Sequence, residues 1–299
     1  MEYQPDIVVY HDKCMDGFTA AWAVWKRWGD EPSYVALNYG MEPDLDCRGK
    51  HILIVDFSFK ADVLARLVAN DGAASVLFLD HHKTAREDLA PFLFEESFPG
   101  AIGAGDVLGM LRDLDELRRP PILAVFDMER SGAGMAWDFC FGSHTRPKLV
   151  DLVEDRDLWR FAFGDESKWL HLALSSGVMD FARWDRLTSY PYDEIRTGEA
   201  IAAYRDSLVE EIVERAVPRW IGGKRGMLVD CPYGLASDVG NRLLDLHPDA
   251  EFAAAEVRGP DSVTYSLRSR DDRADVSEIA RKWGGGGHRN AAGFEVPRS

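Results

Sequence analysis

Short apolar runs alternate with amphipathic stretches through the first half of the chain. Apolar runs without polar alternation are typical of parallel strands that are buried on both faces of a sheet. The predicted strands are residues 7–10, 34–37, 52–55, 76–79 and 122–126, and predicted helices include 18–28, 61–70, 132–141, 149–154 and 168–175. This strand–helix order predicts an α/β fold with a doubly wound parallel sheet in the N-terminal domain.

The pattern changes after residue 191. A charged amphipathic segment predicts a helical linker over residues 192–218, which Pro218 ends. Beyond it we predict strands at 226–230, 251–257 and 263–268 and a helix at 236–246. The expected organisation is therefore a metal-binding domain over 1–191, the linker over 192–218, and a second, smaller α/β domain over 219–299 that binds substrate.

Residues 97–121 interrupt the alternation of the first domain. A glycine-rich turn at 99–105 leads into the charged stretch 106–119, which predicts a helical excursion before the strand at 122–126. Surface decoration is the ordinary interpretation of such an insertion, and a lid or an oligomer contact is the alternative.

Composition narrows the function classes. The chain has 299 residues, of which 46% are hydrophobic, and a net charge of −16. This acidic balance argues against a scaffold that holds long nucleic acid by neutralising its phosphates. No signal-peptide pattern and no apolar run near the ~20 residues of a membrane span occur, so we expect no membrane partner. The four cysteines are scattered, which suits a reducing cytoplasm.

Three predicted strands end directly on side chains that can bind metal ions. Ligands of open parallel sheets gather outside the carboxyl ends of the strands. A single aspartate there is often only a helix cap. A charged cluster with histidines, however, is costly to desolvate unless cations or phosphates compensate it. The residues at these strand ends are His11 and Asp16, Asp56, and Asp80, His81 and His82.

A fourth contribution is expected from the acidic residues at 154–157. Asp155 follows an apolar run and is the preferred ligand, with Asp157 in reserve. The alternative is a solvated helix end. Mixed oxygen and imidazole ligands suit Mn²⁺, with Mg²⁺ or Co²⁺ as alternatives.

The second domain carries a run of four glycines, 284–287, followed by His288. Successive glycines let backbone N–H groups approach an anion, and a helix predicted to start there would add its positive dipole end. Arg268, at the end of a predicted strand, adds a guanidinium suited to bidentate phosphate contact. A flexible turn is the alternative interpretation of the glycines.

Taken in order, these motifs resemble those of the DHH phosphoesterase family, in the branch with a glycine-rich DHH-associated C-terminal domain. Residues 79–82, Leu-Asp-His-His, match the motif that names the family. Asp56 matches its second motif and Asp155 its fourth, while 266–269 and the glycine–histidine run match the C-terminal domain. The similarity spans nearly the whole chain.

The resemblance implies two divalent ions, usually Mn²⁺, bridged by Asp56. His11 and Asp56 would hold one ion, and the other would be bound by Asp16, Asp56, His81 and Asp155. The implied catalytic residues are His82, which would face the phosphate, and Asp80, which would support the cluster through hydrogen bonds. The implied phosphate-binding residues of the second domain are Arg268, Ser269, Gly286, Gly287 and His288.

The first motif departs from the family pattern, because Cys14 stands where an aspartate is commoner. A thiolate could bind the ion, the neighbouring Asp12 could substitute, or the first metal position could be weak. Cys14 could also simply pack behind the site. The number of ions therefore stays open.

The expected activity is metal-dependent hydrolysis of phosphodiester or phosphomonoester bonds in small nucleotides or very short oligonucleotides, at a cleft between the domains. Relatives with this domain plan, as the resemblance implies, include nano-RNases, phosphoadenosine-phosphate phosphatases, cyclic dinucleotide phosphodiesterases, exopolyphosphatases and RecJ-type exonucleases. We expect no long nucleic acid as a partner. The alternatives are a phosphoanhydride hydrolase acting on polyphosphate or pyrophosphate, and a non-catalytic nucleotide sensor. A homodimer also stays open.

Overall fold

The computed structural model describes residues 2–93, 102–188 and 191–298. The chain divides into two compact units, Met1–Glu199 and Ala200–Ser299. No helix in these described ranges has the length and apolar character needed to cross a membrane.

The first unit contains a parallel five-stranded sheet. Its strands are β1 (Ile7–His11), β2 (Ser33–Leu37), β3 (His51–Val55), β4 (Ser75–Asp80) and β5 (Ile122–Phe126). They lie in the order β2-β1-β3-β4-β5, and every neighbouring pair is parallel. The predicted α/β class and all five predicted strands of this unit are confirmed.

Helices cover both faces of this sheet. They are α1 (Met15–Trp28), α2 (Ala61–Ala69), α3 (Lys83–Asp88), α4 (Ala104–Glu116), α5 (Gly132–Phe141), α6 (Lys148–Asp157), α7 (Glu166–Ser175) and α8 (Phe181–Leu187). Successive side chains of β3 point to opposite faces. Leu53 therefore shares a core with Trp22 of α1, whereas Ile54 shares a second core with Leu64 of α2. The sheet is doubly wound, as predicted.

The strand order reverses between β1 and β3. From β1 the chain adds β2 on one side and then returns to add β3, β4 and β5 on the other. In open α/β sheets the crevice outside the carboxyl ends at such a reversal is where ligands bind. The His11 end of β1 and the residue after β3, Asp56, lie at this point.

The predicted insertion at 97–121 is part of the core where it is described. Val107, Met110 and Leu114 of α4 are buried against the first unit. Surface decoration is therefore the wrong interpretation of this helix, whose charged residues occupy only its outer side. Residues 94–101, which include the start of the predicted glycine-rich turn at 99–105, lie outside the described residues.

The second unit is built on a mixed six-stranded sheet. Its strands are β6 (Val217–Ile221), β7 (Lys224–Asp230), β8 (Phe252–Arg258), β9 (Ser262–Arg268), β10 (Gly286–His288) and β11 (Ala291–Pro297), in the order β10-β11-β9-β8-β7-β6. Its helices α10 (Ala236–Leu246) and α11 (Val276–Arg281) pack on opposite faces. The predicted smaller α/β domain is confirmed.

The predicted linker ends differently from expectation. Helix α9 (Pro191–Val213) spans the boundary between the two units and stops five residues before Pro218. Pro218 instead lies in β6, an edge strand of the second sheet. An edge strand tolerates proline because one row of its N–H groups faces no partner strand.

Two helical glycines provide a matched test of packing in the first unit. A Cβ at Gly198 would lie 1.7 Å from the carbonyl oxygen of Trp169, whereas a Cβ at Gly109 of α4 would meet nothing within 4 Å. Alanine normally stabilises a helix interior relative to glycine by up to about 1 kcal/mol. We therefore expect Gly109→Ala to raise the free energy of unfolding in urea. Gly198→Ala should lower it by about 1–3 kcal/mol, because the backbone must move. Equal stabilisation by both changes would contradict this packing.

Candidate metal centre

The carboxyl ends of β1, β3 and β4 bring histidines and carboxylates together around His81. Its Nε2 lies 3.2 Å from Oδ1 of Asp56, 3.7 Å from Oδ2 of Asp16 and 3.4 Å from Oδ2 of Asp157. On the other side of Asp56, Oδ2 lies 4.0 Å from Nδ1 of His11. Among the described residues, three overlapping groups have potential ligand atoms within 4.8 Å of one another: Asp56, Asp80, His81 and His82; His11, Cys14 and Asp56; and Asp16, His81 and Asp157.

Asp56 belongs to two of these groups, as does His81. Asp56 is buried, and its backbone adopts a left-handed φ of 52°. Burial and the nearby carboxylate of Asp16 hold its pKa well above the usual range. Its Oδ2 is buried without a hydrogen-bond partner among the described residues. A buried carboxylate oxygen without a donor is costly, and a cation is the counter-charge that fits it.

Asp16 is held by the N-terminus of α5. Its two carboxylate oxygens accept hydrogen bonds from Gly132 N at 2.6 Å and Ala133 N at 3.0 Å. The positive end of the helix dipole attracts a negatively charged group there. Gly132 permits this approach, because a Cβ would lie 2.4 Å from Cβ of Asp56. Ser131 caps the helix, with its hydroxyl oxygen accepting from Gly134 N.

Asp80 fixes the orientation of His82. Its Oδ1 accepts from Nδ1 of His82 at 2.7 Å and from the backbone N–H groups of His81 and His82. The hydrogen bond to Asp80 raises the pKa of His82 above its usual value. Since Nδ1 is engaged by Asp80, Nε2 is the nitrogen that His82 can present to a ligand.

Cys14 lies in the cluster, at the N-cap of α1. Burial and the charges of Asp56 and Asp16 raise the pKa of its thiol. Asp12, the alternative substitute ligand, instead accepts a hydrogen bond from the side chain of Asn38 at 3.2 Å. Cys14 and Asp12 were the two candidates to replace the aspartate that is commoner in the first motif. The structure brings Cys14 to the site.

Asp155 and Asp157 exchange the places expected from the sequence. Oδ1 of Asp155 accepts from Ala162 N at 2.7 Å and its Oδ2 from Phe163 N at 3.4 Å, so it holds the loop after α6. Asp157 lies beside His81, where burial and Asp16 raise its pKa to about 6. The preference for Asp155 at the cluster is corrected. The two positions are 200° apart around a helix, and the sequence did not reveal which side faces the strand ends.

The predicted phosphate-binding residues of the second unit differ in how exposed they are and in which hydrogen bonds they make. Arg268 ends β9, donates to Leu267 O at 2.8 Å and to the Ser237 hydroxyl, and has its pKa lowered by burial. Ser269 is buried and its hydroxyl donates to Glu251 O at 3.3 Å. The glycine residues Gly286 and Gly287 are exposed, as is His288.

The prediction that a helix starts after the glycine run is wrong. Gly286–His288 form β10, which pairs with β11 in an antiparallel hairpin. Gly287 has a φ of 135°, and a Cβ there would lie 2.5 Å from Cα of Ala292. Close approach of two strands therefore accounts for this glycine, and the helix-dipole argument for anion binding no longer applies here.

Aromatic side chains that the sequence pattern did not indicate lie beside the cluster. Tyr39 packs edge-on against His11, with ring centroids 5.2 Å apart, and Phe57 lies 6.1 Å from the same ring. A cavity of about 120 Å³ adjoins the cluster, and its lining includes Cys14, Asp16, Arg156, Asp157, Trp159 and His171. Phe57 directly follows Asp56, which is the one signal that could have indicated its place.

Fold and site together define a class: a two-domain α/β protein with a carboxylate–histidine cluster at the strand reversal of a doubly wound sheet. No family model matches the chain. The uncharacterized protein R106 of Acanthamoeba polyphaga mimivirus is 30% identical over 313 residues, which cover 97% of this chain and 67% of R106. Oligoribonuclease NrnB of Bacillus subtilis is 43% identical over 60 residues, only 20% of this chain and 14% of NrnB.

Two solved structures share the fold. The pGpG-specific phosphodiesterase PggH of Vibrio cholerae matches with a TM-score of 0.51 at 13% identity, covering 97% of this chain and 92% of PggH. The DHH domain of PF0399, a member of the s1p family of ribosomal proteins, matches with a TM-score of 0.50 at 12% identity, covering 98% and 83%. The chain therefore has the fold of DHH-domain proteins, and its motifs follow the order of that family.

The exchanged aspartates can be told apart by stability in the presence of a chelator. Asp155→Ala should lower the free energy of unfolding by about 1–3 kcal/mol, because two backbone N–H groups lose their acceptor. Asp157→Ala should leave it equal or higher at pH 7, because the folded state raises the pKa of Asp157 from 3.8 to about 6 and so disfavours its ionised form.

The gain in the free energy of unfolding from Asp157→Ala should be full above pH 6. It should vanish towards pH 3.8, because wild-type Asp157 becomes protonated there. Urea unfolding across this pH range measures both effects. A large loss from Asp157→Ala, with none from Asp155→Ala, would contradict the assignment.

Proposed function

We propose that this protein is a divalent-metal-dependent phosphoesterase that hydrolyses phosphodiester or phosphomonoester bonds of small nucleotides or very short oligonucleotides. The observation that carries the proposal is the buried Asp56 carboxylate. It is shared between two groups of ligand atoms, and one of its oxygens has no partner in the described chain. The likeness of its fold and motifs to those of the DHH family supports the same reaction class.

The donor set fits two divalent ions. His11, Cys14 and Asp56 would hold one ion, and Asp16, His81 and Asp157 would hold the other, with Asp56 beside His81. Asp157 takes the place that the sequence analysis gave to Asp155. Imidazole and carboxylate donors suit Mn²⁺, with Mg²⁺ or Co²⁺ as alternatives. When bound, such ions lower the pKa of a water molecule and polarise the phosphoryl group.

His82 would donate a hydrogen bond to the phosphate or a proton to the leaving oxygen. Its raised pKa favours the imidazolium, which can donate from Nε2 to a phosphate oxygen or to the leaving oxygen. Asp80 keeps Nδ1 engaged and the ring in place. The start of α5 holds Asp16, so the carboxylates need not reorganise when substrate binds.

A small nucleotide is the substrate class we favour. The acidic chain argues against long nucleic acid, and the pGpG named for PggH is a substrate of the proposed size. In the second unit, the Arg268 guanidinium and the exposed His288 stay predicted phosphate-binding groups. A cytoplasmic location and the oligomeric state stay predictions.

Turnover with a panel of substrates tests the proposal. With added Mn²⁺ the protein should hydrolyse dinucleotides such as pGpG or a nucleoside bisphosphate, and EDTA should abolish this activity. Asp80→Asn should reduce kcat roughly 10- to 100-fold, because it no longer orients His82, while metal content stays near wild type. Full turnover by protein shown to be metal-free by elemental analysis would overturn the proposal.

Cys14→Asp tests the unusual ligand. The change restores the commoner family residue beside His11 and Asp56. We expect tighter Mn²⁺ binding in titration calorimetry, with activity equal or higher, because a carboxylate suits Mn²⁺ better than a thiol of raised pKa. In EDTA the variant should be less stable than wild type, because another carboxylate joins the cluster. Weaker Mn²⁺ binding would show that the thiolate is itself an adapted ligand.

A further inference from the structure

The loop that follows α6 is held in an unusual backbone conformation. Trp159 and Phe161 both adopt left-handed φ values, of 53° and 50°. This region is unfavourable for bulky side chains. Here it is maintained by Asp155, whose backbone oxygen accepts from Arg160 N and whose carboxylate accepts from Ala162 N and Phe163 N. Strained backbone of this kind is concentrated at ligand sites.

The loop fixes the ring of Trp159 while leaving it in solvent. Trp159 is 69% exposed. The guanidinium carbon of Arg156 lies 4.5 Å from its ring centroid, and the ring of Phe161 lies edge-on at 5.3 Å. An exposed tryptophan braced by two neighbours has lost rotamer freedom before any ligand binds, which lowers the entropy cost of stacking on it.

Trp159 also lies next to the candidate metal centre. It lines the cavity of about 120 Å³ together with Asp16, Cys14 and Asp157. Two of these are carboxylates of the cluster around His81. A phosphate held at that cluster would have Trp159 as a neighbouring aromatic surface.

Trp220 shows that these features do not accompany every exposed tryptophan. It is 71% exposed, lies in the regular edge strand β6, and has an ordinary negative φ. Exposure alone is therefore unremarkable. Trp159 differs by its strained backbone, its buried anchor Asp155 and its place beside the cluster.

We propose that Trp159 stacks on the nucleobase of the nucleotide whose phosphate binds at the metal centre. The inference rests on the proposed function and narrows its substrate class to phosphates that carry a base, as opposed to inorganic polyphosphate. Every nucleobase offers a π-face, so this contact favours nucleotides without selecting among bases.

Binding of a reaction-product analogue tests the inference without relying on turnover. Adenosine 5′-monophosphate and ribose 5-phosphate, which lacks the base, are titrated calorimetrically in Mn²⁺ into wild type, Trp159→Ala, Trp159→Phe and the matched control Trp220→Ala. Chromatography checks that the nucleotide stays intact. Trp159→Ala should weaken nucleotide binding roughly 5- to 150-fold, the range for stacking on an aromatic side chain. Ribose 5-phosphate binding should change less than twofold.

Trp159→Phe should retain most of the nucleotide affinity, and Trp220→Ala all of it. Unchanged nucleotide affinity in Trp159→Ala, in a protein that hydrolyses nucleotides, would overturn the stacking inference and leave the proposed function standing. Equal losses for both ligands would also overturn it, because Trp159 would then only support the cluster. A wild-type protein that binds neither ligand and hydrolyses nothing on the panel would overturn the proposed function itself.

Discussion

Crowding of carboxylates at one sheet edge is the constraint on which the rest of the site depends. Asp16, Asp56, Asp80 and Asp157 converge there, and like charges in a buried place oppose ionisation. Burial, and after it the nearby carboxylate of Asp16, raises the pKa values of Asp56 and Asp157. The protein supplies only partial compensation, through backbone N–H groups and histidines. Divalent cations would supply the remainder, which is why a metal centre explains the cluster better than a structural role does.

The start of α5 is the main compensation within the chain, and a buried network keeps it in position. Glu154 Oε2 accepts from Ser131 N at 3.0 Å, and Arg146 donates to Oε1 of the same carboxylate at 2.9 Å. Arg146 also reaches the side chain of Asp138 and Gly134 O in α5. These hydrogen bonds fix the N–H groups that hold Asp16. The cluster is therefore pre-organised by packing and hydrogen bonds that lie outside it.

The sequence predicted those parts of the molecule that follow from local pattern. The buried strands β1, β3 and β4 were evident because their apolar runs end on His11, Asp56 and Asp80. The hairpin of β10 and β11 was not, because glycines and alanines carry little apolar periodicity and their pairing is decided by close strand approach. Likewise the aromatic surroundings of His11 come from residues whose contacts are tertiary, and a linear pattern does not contain them.

One turn of α6 shows why the remaining assignments needed the structure. Glu154, Asp155 and Asp157 each serve a different element: the start of α5, the loop at Ala162 and Phe163, and the cluster at His81. Successive helix positions are 100° apart, so neighbouring carboxylates necessarily point in different directions. Glu154 and Asp155 are matched by N–H donors. Asp157 lies beside His81, and burial and the nearby Asp16 raise its pKa to about 6, so it is the carboxylate of this turn for which a cation is the fitting partner.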